Sequence, residues 1–179
     1  LFEQRELPHF IEDKFSILDT VHAITNDFGA PATLTIGVAG GNDFNVVSAS
    51  LGTSYTALCE GNAENGTATS GTVYTIVPRY SGEVEVAVSL NSGKKFYILE
   101  DGTALSAYNG ITVSEKYNGT YRFPVTAGKT YKIYAAGSKL GLYGFAFSPI
   151  KSYPVVKTYS FSNNDVMTEE AGKVFHRLD

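Results

Sequence analysis

The chain has 179 residues, a formal net charge of −4 and a pI ≈ 5.4. That length fits one domain, with or without extensions, and is ample for a core. The acidic balance argues against a nucleic-acid partner, whose phosphates reward a basic patch. No apolar run approaches the roughly 20 residues of a membrane-spanning helix.

Composition favours β structure: 12 Tyr, 11 Phe and 18 Gly stand beside a single Met. Residues 1–14 (LFEQRELPHFIEDK) are charged and mixed, and read as an N-terminal arm or linker. FSIL (Phe15–Leu18) is a first strand candidate. Asn26, Asp27, Gly29 and Pro31 mark a turn, and TLTIGV (Thr33–Val38) follows as a strand. Ala39–Asp43 forms a loop, FNVVSAS (Phe44–Ser50) a strand, and Tyr55–Cys59 another.

The loop Glu60–Gly66 concentrates Glu60, Asn62, Glu64 and Asn65. Oxygen-rich loops can hold calcium, and serve equally well as solvated hairpin connections. The spacing does not match an EF-hand, which favours the hairpin reading over a structural calcium; His9 and Glu12 are a second metal pair by residue type, better read as part of a solvated arm, and no other cofactor is expected.

From Thr72 the alternation is cleaner. TVYTIVP (Thr72–Pro78) leads to the Arg79–Gly82 turn. In Glu83–Leu90, Val84, Val86, Val88 and Leu90 point one way and Glu83, Glu85, Ala87 and Ser89 the other, which predicts a strand with one wet face. KFYIL (Lys95–Leu99) returns. Ala104–Ser114 carries Tyr108-Asn109-Gly110, and Tyr117-Asn118-Gly119 repeats that triplet. Asn118-Gly119-Thr120 is also hairpin-turn chemistry, and Tyr108 and Tyr117 read as loop or edge residues. Tyr121, Phe123 and Val125 face inward. Tyr131, Ile133 and Ala135 alternate with Lys132, Tyr134 and Ala136, and Tyr143, Phe145 and Phe147 share one parity after a glycine-rich turn around Lys139. Short alternating runs with frequent turn signals read as an all-β antiparallel sandwich of jelly-roll type over 15–149. Residues 150–179 read as a C-terminal tail, a packed strand or the start of a neighbouring module.

Catalysis has little support. There is no G-x-S-x-G elbow, H-E-x-x-H or Walker loop. His9, His22 and His176 are far apart in the chain. The acids Glu60, Glu64, Glu100 and Asp101 read as turn residues rather than a catalytic carboxylate pair. Cys59 is alone, so no intramolecular disulfide forms, and it reads as a small buried hydrophobe. Sequons at Asn65 and Asn118 double as hairpin chemistry. Binding is better supported. Tyr80, Tyr108, Tyr117 and Tyr143 read as loop or edge tyrosines with hydrogen-bonding neighbours. A sugar offers an apolar C–H face and a hydroxyl rim, which rings and polar side chains satisfy together.

The runs GTVYTIVPRYSGEVEVAVSLN (Gly71–Asn91), KKFYILEDGTAL (Lys94–Leu105), YNGITV (Tyr108–Val113) and AGKTYKIYAAGSKLGLYGFAF (Ala127–Phe147) resemble an accessory module of secreted polysaccharide-degrading proteins of Bacteroidetes. The resemblance implies a galactose-binding-like β-sandwich without catalysis, secreted or at the cell surface. It would hold an appended catalytic domain near plant cell-wall polysaccharide such as pectin, xylan or glucan. The expected carbohydrate contacts are Tyr108, Asn109, Tyr117, Lys139 and Tyr143, with Glu60 and Asn62 on a second loop. The rival readings are a structural or adhesive surface-protein sandwich without a sugar site, and a polysaccharide lyase or hydrolase domain.

Overall fold

The computed structural model describes residues 13–17, 31–37, 44–61 and 66–150. The expected tail and most of the N-terminal arm lie outside the described residues, as do His9, His22, His176 and Asn62. Phe10–Ile150 forms one compact unit.

Among the described residues eleven strands run in chain order: β1 Asp13–Ser16, β2 Ala32–Gly37, β3 Phe44–Leu51, β4 Tyr55–Gly61, β5 Val73–Pro78, β6 Gly82–Leu90, β7 Lys95–Glu100, β8 Thr103–Ile111, β9 Tyr117–Val125, β10 Tyr131–Ala136 and β11 Gly141–Pro149. They form two antiparallel sheets. Sheet A has the order β3-β4-β11-β6-β9, with β1 also paired to β11. Sheet B has the order β2-β5-β10-β7-β8. The fold is the expected all-β sandwich.

Period-two alternation sets the core between the sheets. Val84, Val86, Val88 and Leu90 of β6 are buried against Phe96 and Ile98 of β7, Tyr131 and Ile133 of β10, Phe123 of β9, and Phe145 and Phe147 of β11. Tyr74, fully buried, donates its hydroxyl to the Leu140 carbonyl at 2.5 Å, so the one polar atom of that core ring is satisfied.

Three local expectations change. The outward side of β6 is not wet: Glu85, Ala87 and Ser89 are buried and only Glu83 is exposed. The cause is a second apolar cluster of Tyr55, Leu58, Ala87 and Tyr143 on the outer face of sheet A. Within it the Glu85 carboxylate accepts from Tyr55 Oη at 3.1 Å and pairs with Arg122 at 2.9 Å. A buried carboxylate needs that company.

Tyr143 does not share the parity of Phe145 and Phe147. A register shift between Leu142 and Gly144 inserts one residue against β6. This bulge leaves Leu142, Phe145 and Phe147 in the core and turns Tyr143 to the outer cluster.

The edge reading of Tyr108 and Tyr117 holds and the turn reading of Asn118-Gly119 does not: both Tyr-Asn-Gly triplets belong to edge strands. Both lie inside strands, β8 and β9, and a tyrosine ring occupies the space each glycine leaves. A Cβ on Gly119 would meet the Tyr117 ring at 2.4 Å, and one on Gly110 would meet Tyr97 Oη at 3.1 Å. The glycines are there to seat rings.

Candidate ligand-binding face

Six of the seven residues expected from sequence are described, and they separate into four places; Asn62 lies outside the described residues. Tyr108 and Tyr117 belong to an aromatic seam at the β8 and β9 edges of the two sheets. Tyr121 stacks on Phe96 at 4.7 Å, and Tyr108 and Tyr117 pack against Tyr121 at 5.4 and 5.0 Å. Both expected ligand tyrosines bond backbone: Tyr108 Oη donates to Arg122 O at 2.6 Å and Tyr117 Oη to Thr120 O at 2.9 Å. Burial pushes the Tyr108 phenol above its ordinary value, so it stays a donor at neutral pH.

Tyr143 and Glu60 lie on the outer side of sheet A. Tyr143 is 6% exposed and donates to Asn118 Oδ1 at 2.9 Å. Burial first, then the nearby Glu60 charge, raise its phenol pKa. Lys139 is half-buried in the β10–β11 turn, beside Ser138, which accepts from Asn91 Nδ2 at 2.9 Å. Asn109 is exposed on β8.

Asn109 leads to a group that the sequence reading passed over. It pairs in register with Tyr97 of β7, and Tyr97 with Tyr134 of β10. Tyr134 and Lys132 alternate with the buried Tyr131, Ile133 and Ala135, so they face outward from sheet B. Tyr97 does the same between Phe96 and Ile98. The two outward rings stack at 5.1 Å between centroids with planes 13° apart. That spacing is close to the ~4.8 Å between strands. The rings therefore stand side by side on neighbouring strands, with their edges turned outward.

The hydroxyls divide the described tyrosines: Tyr80, Tyr97, Tyr121 and Tyr134 make none of the hydrogen bonds that the others make, and of these four Tyr97 and Tyr134 are the two that stack on each other on an outward face. Tyr55, Tyr74, Tyr108, Tyr117, Tyr131 and Tyr143 all donate to protein acceptors. Tyr97 and Tyr134 are half-exposed, and their hydroxyls have no protein partner among the described residues. Burial, then the neighbouring Tyr97 phenol, raise the Tyr134 pKa, which keeps it protonated at neutral pH.

The next row across the sheet is polar on the β5 and β2 side and apolar on the other, where Lys132 pairs with Leu99 and Leu99 with Ala104. Lys132 pairs in register with Thr75 of β5, and Thr75 with Thr35 of β2. Lys132 Nζ donates to Ala68 O at 3.2 Å. An ammonium has three donors, so two remain. The turn at 67–70 is braced internally by bonds between Thr67 Oγ1 and Ser70. The face thus offers phenol, amide, hydroxyl and ammonium groups on a rigid sheet.

Two of the four acids weighed as a catalytic pair, Glu100 and Asp101, are engaged in holding the fold, and Glu64 lies outside the described residues. Glu100 accepts from Tyr131 Oη at 2.6 Å and lies 3.6 Å from Lys129 Nζ, and Asp101 Oδ1 accepts from Thr130 N at 2.9 Å. Among the described residues no group of three or more His, Cys, Asp and Glu side chains converges as a metal site. No helix among them is long and apolar enough to cross a membrane.

No protein-family model and no curated protein matches the chain. Solved structures of similar layout include a family 35 carbohydrate-binding module from Clostridium thermocellum, with 10% identity, TM-score 0.37, and 66% of this chain and 99% of that one covered. The CBM35 of Paenibacillus barcinonensis aligns with 16% identity, TM-score 0.35, and 66% and 99% coverage. The GH26-CBM35 β-(1,4)-mannanase of Podospora anserina aligns with 11% identity, TM-score 0.35, and 74% and 32% coverage. Alignments this loose carry neither a ligand nor a site across to this chain.

Proposed function

We propose that the chain is a non-catalytic carbohydrate-binding module that keeps an appended enzyme near plant cell-wall polysaccharide, with pectin, xylan and glucan as the target classes. Its setting is a secreted or cell-surface protein. The observation that carries the reading is the Tyr97–Tyr134 pair: stacked, half-exposed and with both hydroxyls unpartnered among the described residues. Asn109, Lys132 and Thr75 complete the contact set. Sugar hydroxyls need such donors and acceptors, and sugar C–H faces need ring surface. The family resemblance of Gly71–Phe147 points to the same class of function.

Of the residues expected from sequence, Asn109 belongs to this face. Tyr108 and Tyr117 support the sheet beneath it, Glu60, Lys139 and Tyr143 lie elsewhere, and Asn62 lies outside the described residues. A structural calcium in the Glu60–Gly66 loop remains part of the reading. If it is bound, EDTA lowers the melting temperature and added calcium restores it.

The direct test is calorimetry or affinity electrophoresis of the chain against pectins, xylans and glucans. Binding to at least one, weakened several-fold by Tyr134→Ala, is the expected result. No binding to any of them favours the structural or adhesive reading, and sugar release by the isolated chain would establish an enzyme. Individual ring contacts contribute about 1 kcal/mol each. Weak affinity is therefore expected, with avidity from neighbouring modules mattering more.

A further inference from the structure

The Tyr97–Tyr134 pair is held by something on its far side. Tyr134 stands on one flank of Tyr97, and β8 passes on the other. Opposite Tyr97 on β8 is Asn109, and the next residue is Gly110. Gly110 has φ +81°, a left-handed conformation that side-chain-bearing residues rarely adopt. A Cβ built there would meet Tyr97 Oη at 3.1 Å, Cζ at 3.2 Å and Cε2 at 3.4 Å. Those contacts run along the phenol end of the ring, the end that carries the unpartnered hydroxyl. The pairing of β7 with β8 is irregular on both sides of Tyr97, with shifts between Phe96 and Tyr97 and between Tyr97 and Leu99. Such irregularities re-aim side chains.

We propose that Gly110 is the positioning residue of the ligand face. Its missing side chain and left-handed backbone let Tyr97 stand upright against β8, and Tyr97 in turn sets Tyr134. The inference rests on the reading of this face as a carbohydrate site. A methyl at Gly110 pushes the Tyr97 phenol aside by a few tenths of an ångström. The ring then leaves its rotamer or crowds Tyr134, and both hydroxyls shift.

The test compares Gly110→Ala with Gly102→Ala. Gly102 lies in the β7–β8 turn with φ +89° and has nothing within 4 Å of a built Cβ. It therefore carries the backbone cost without the ring contact. Near-ultraviolet circular dichroism reads the stacked pair, whose contribution is defined by the difference between the unmodified chain and Tyr134→Leu.

Gly110→Ala is expected to diminish that contribution and to weaken polysaccharide binding roughly three- to tenfold. Gly102→Ala is expected to change neither. Equal spectra and equal affinity for the two variants would overturn the proposal. Should Gly110→Ala fail to fold, the double variant Tyr97→Leu/Gly110→Ala folds if the ring is the obstacle; failure of both contradicts the assignment. If the unmodified chain binds no polysaccharide, the reading of the face fails, and the spectra still decide whether Gly110 sets the ring pair.

Discussion

Two groups of tyrosines flank β7 and β8, and they differ in where their hydroxyls go. In the seam, Tyr108 and Tyr117 lay their rings on Tyr121 and donate to backbone carbonyls. On the outer face of sheet B, Tyr97 and Tyr134 stack on each other, Tyr97 stands beside Gly110, and neither ring donates to a protein group among the described residues. Both groups are partly exposed, so exposure alone does not separate them. Hydrogen bonding separates Tyr108 and Tyr117 from the outward pair, while Tyr121, whose hydroxyl also has no partner among the described residues, is held in the seam by its ring contacts with Phe96, Tyr108 and Tyr117.

The comparison can be broken first at the seam's base. Phe96 is fully buried and stacks on Tyr121, so Phe96→Ala should cost about 3–5 kcal/mol of folding stability in denaturant melts. A cost below about 1 kcal/mol would mean that the seam is not tied to the core. Tyr108→Phe keeps the ring and loses only the bond to Arg122 O. Its expected effect is about 1 kcal/mol of stability with binding unchanged. A loss of binding from this variant would move the site to the seam.

A smaller effect concerns Cys59. Burial pushes its thiol up to about 11, so at neutral pH the group is protonated and shielded. Thiol reagents should label it only as the chain unfolds. The unfolded thiol loses its proton at lower pH than the folded one, so this group's contribution to stability is intact below 9.0 and declines as pH rises towards about 11. Rapid labelling of the native chain at neutral pH would contradict the burial.

Most of the fold was legible in the sequence because alternation is local. The run from Val84 to Leu90 names its own inner face, and Tyr131, Ile133 and Ala135 name theirs. What failed depended on partners distant in sequence. The bulge that turns Tyr143 away from Phe145 exists only in the pairing with β6. Asn118-Gly119 looks like a turn until the Tyr117 ring is seen over the glycine. The inward set of β10 left Lys132 and Tyr134 outward, a signal present in the sequence. That Tyr134 meets Tyr97 required the β7–β10 register, which no local pattern encodes. Asn109 stands out in the sequence as a hydrogen-bonding neighbour of Tyr108, and the β7–β8 register gives it a place beside Tyr97.

The central claim is that the outer face of sheet B, and not the seam, meets the sugar. Calorimetric titration of one bound polysaccharide into Tyr97→Ala, Tyr134→Ala, Tyr108→Phe and Tyr117→Phe tests it most directly. The account predicts a several-fold loss of affinity for the first two at nearly unchanged melting temperature, and none for the last two. Loss confined to Tyr108→Phe and Tyr117→Phe, with Tyr97→Ala and Tyr134→Ala binding normally, would contradict it.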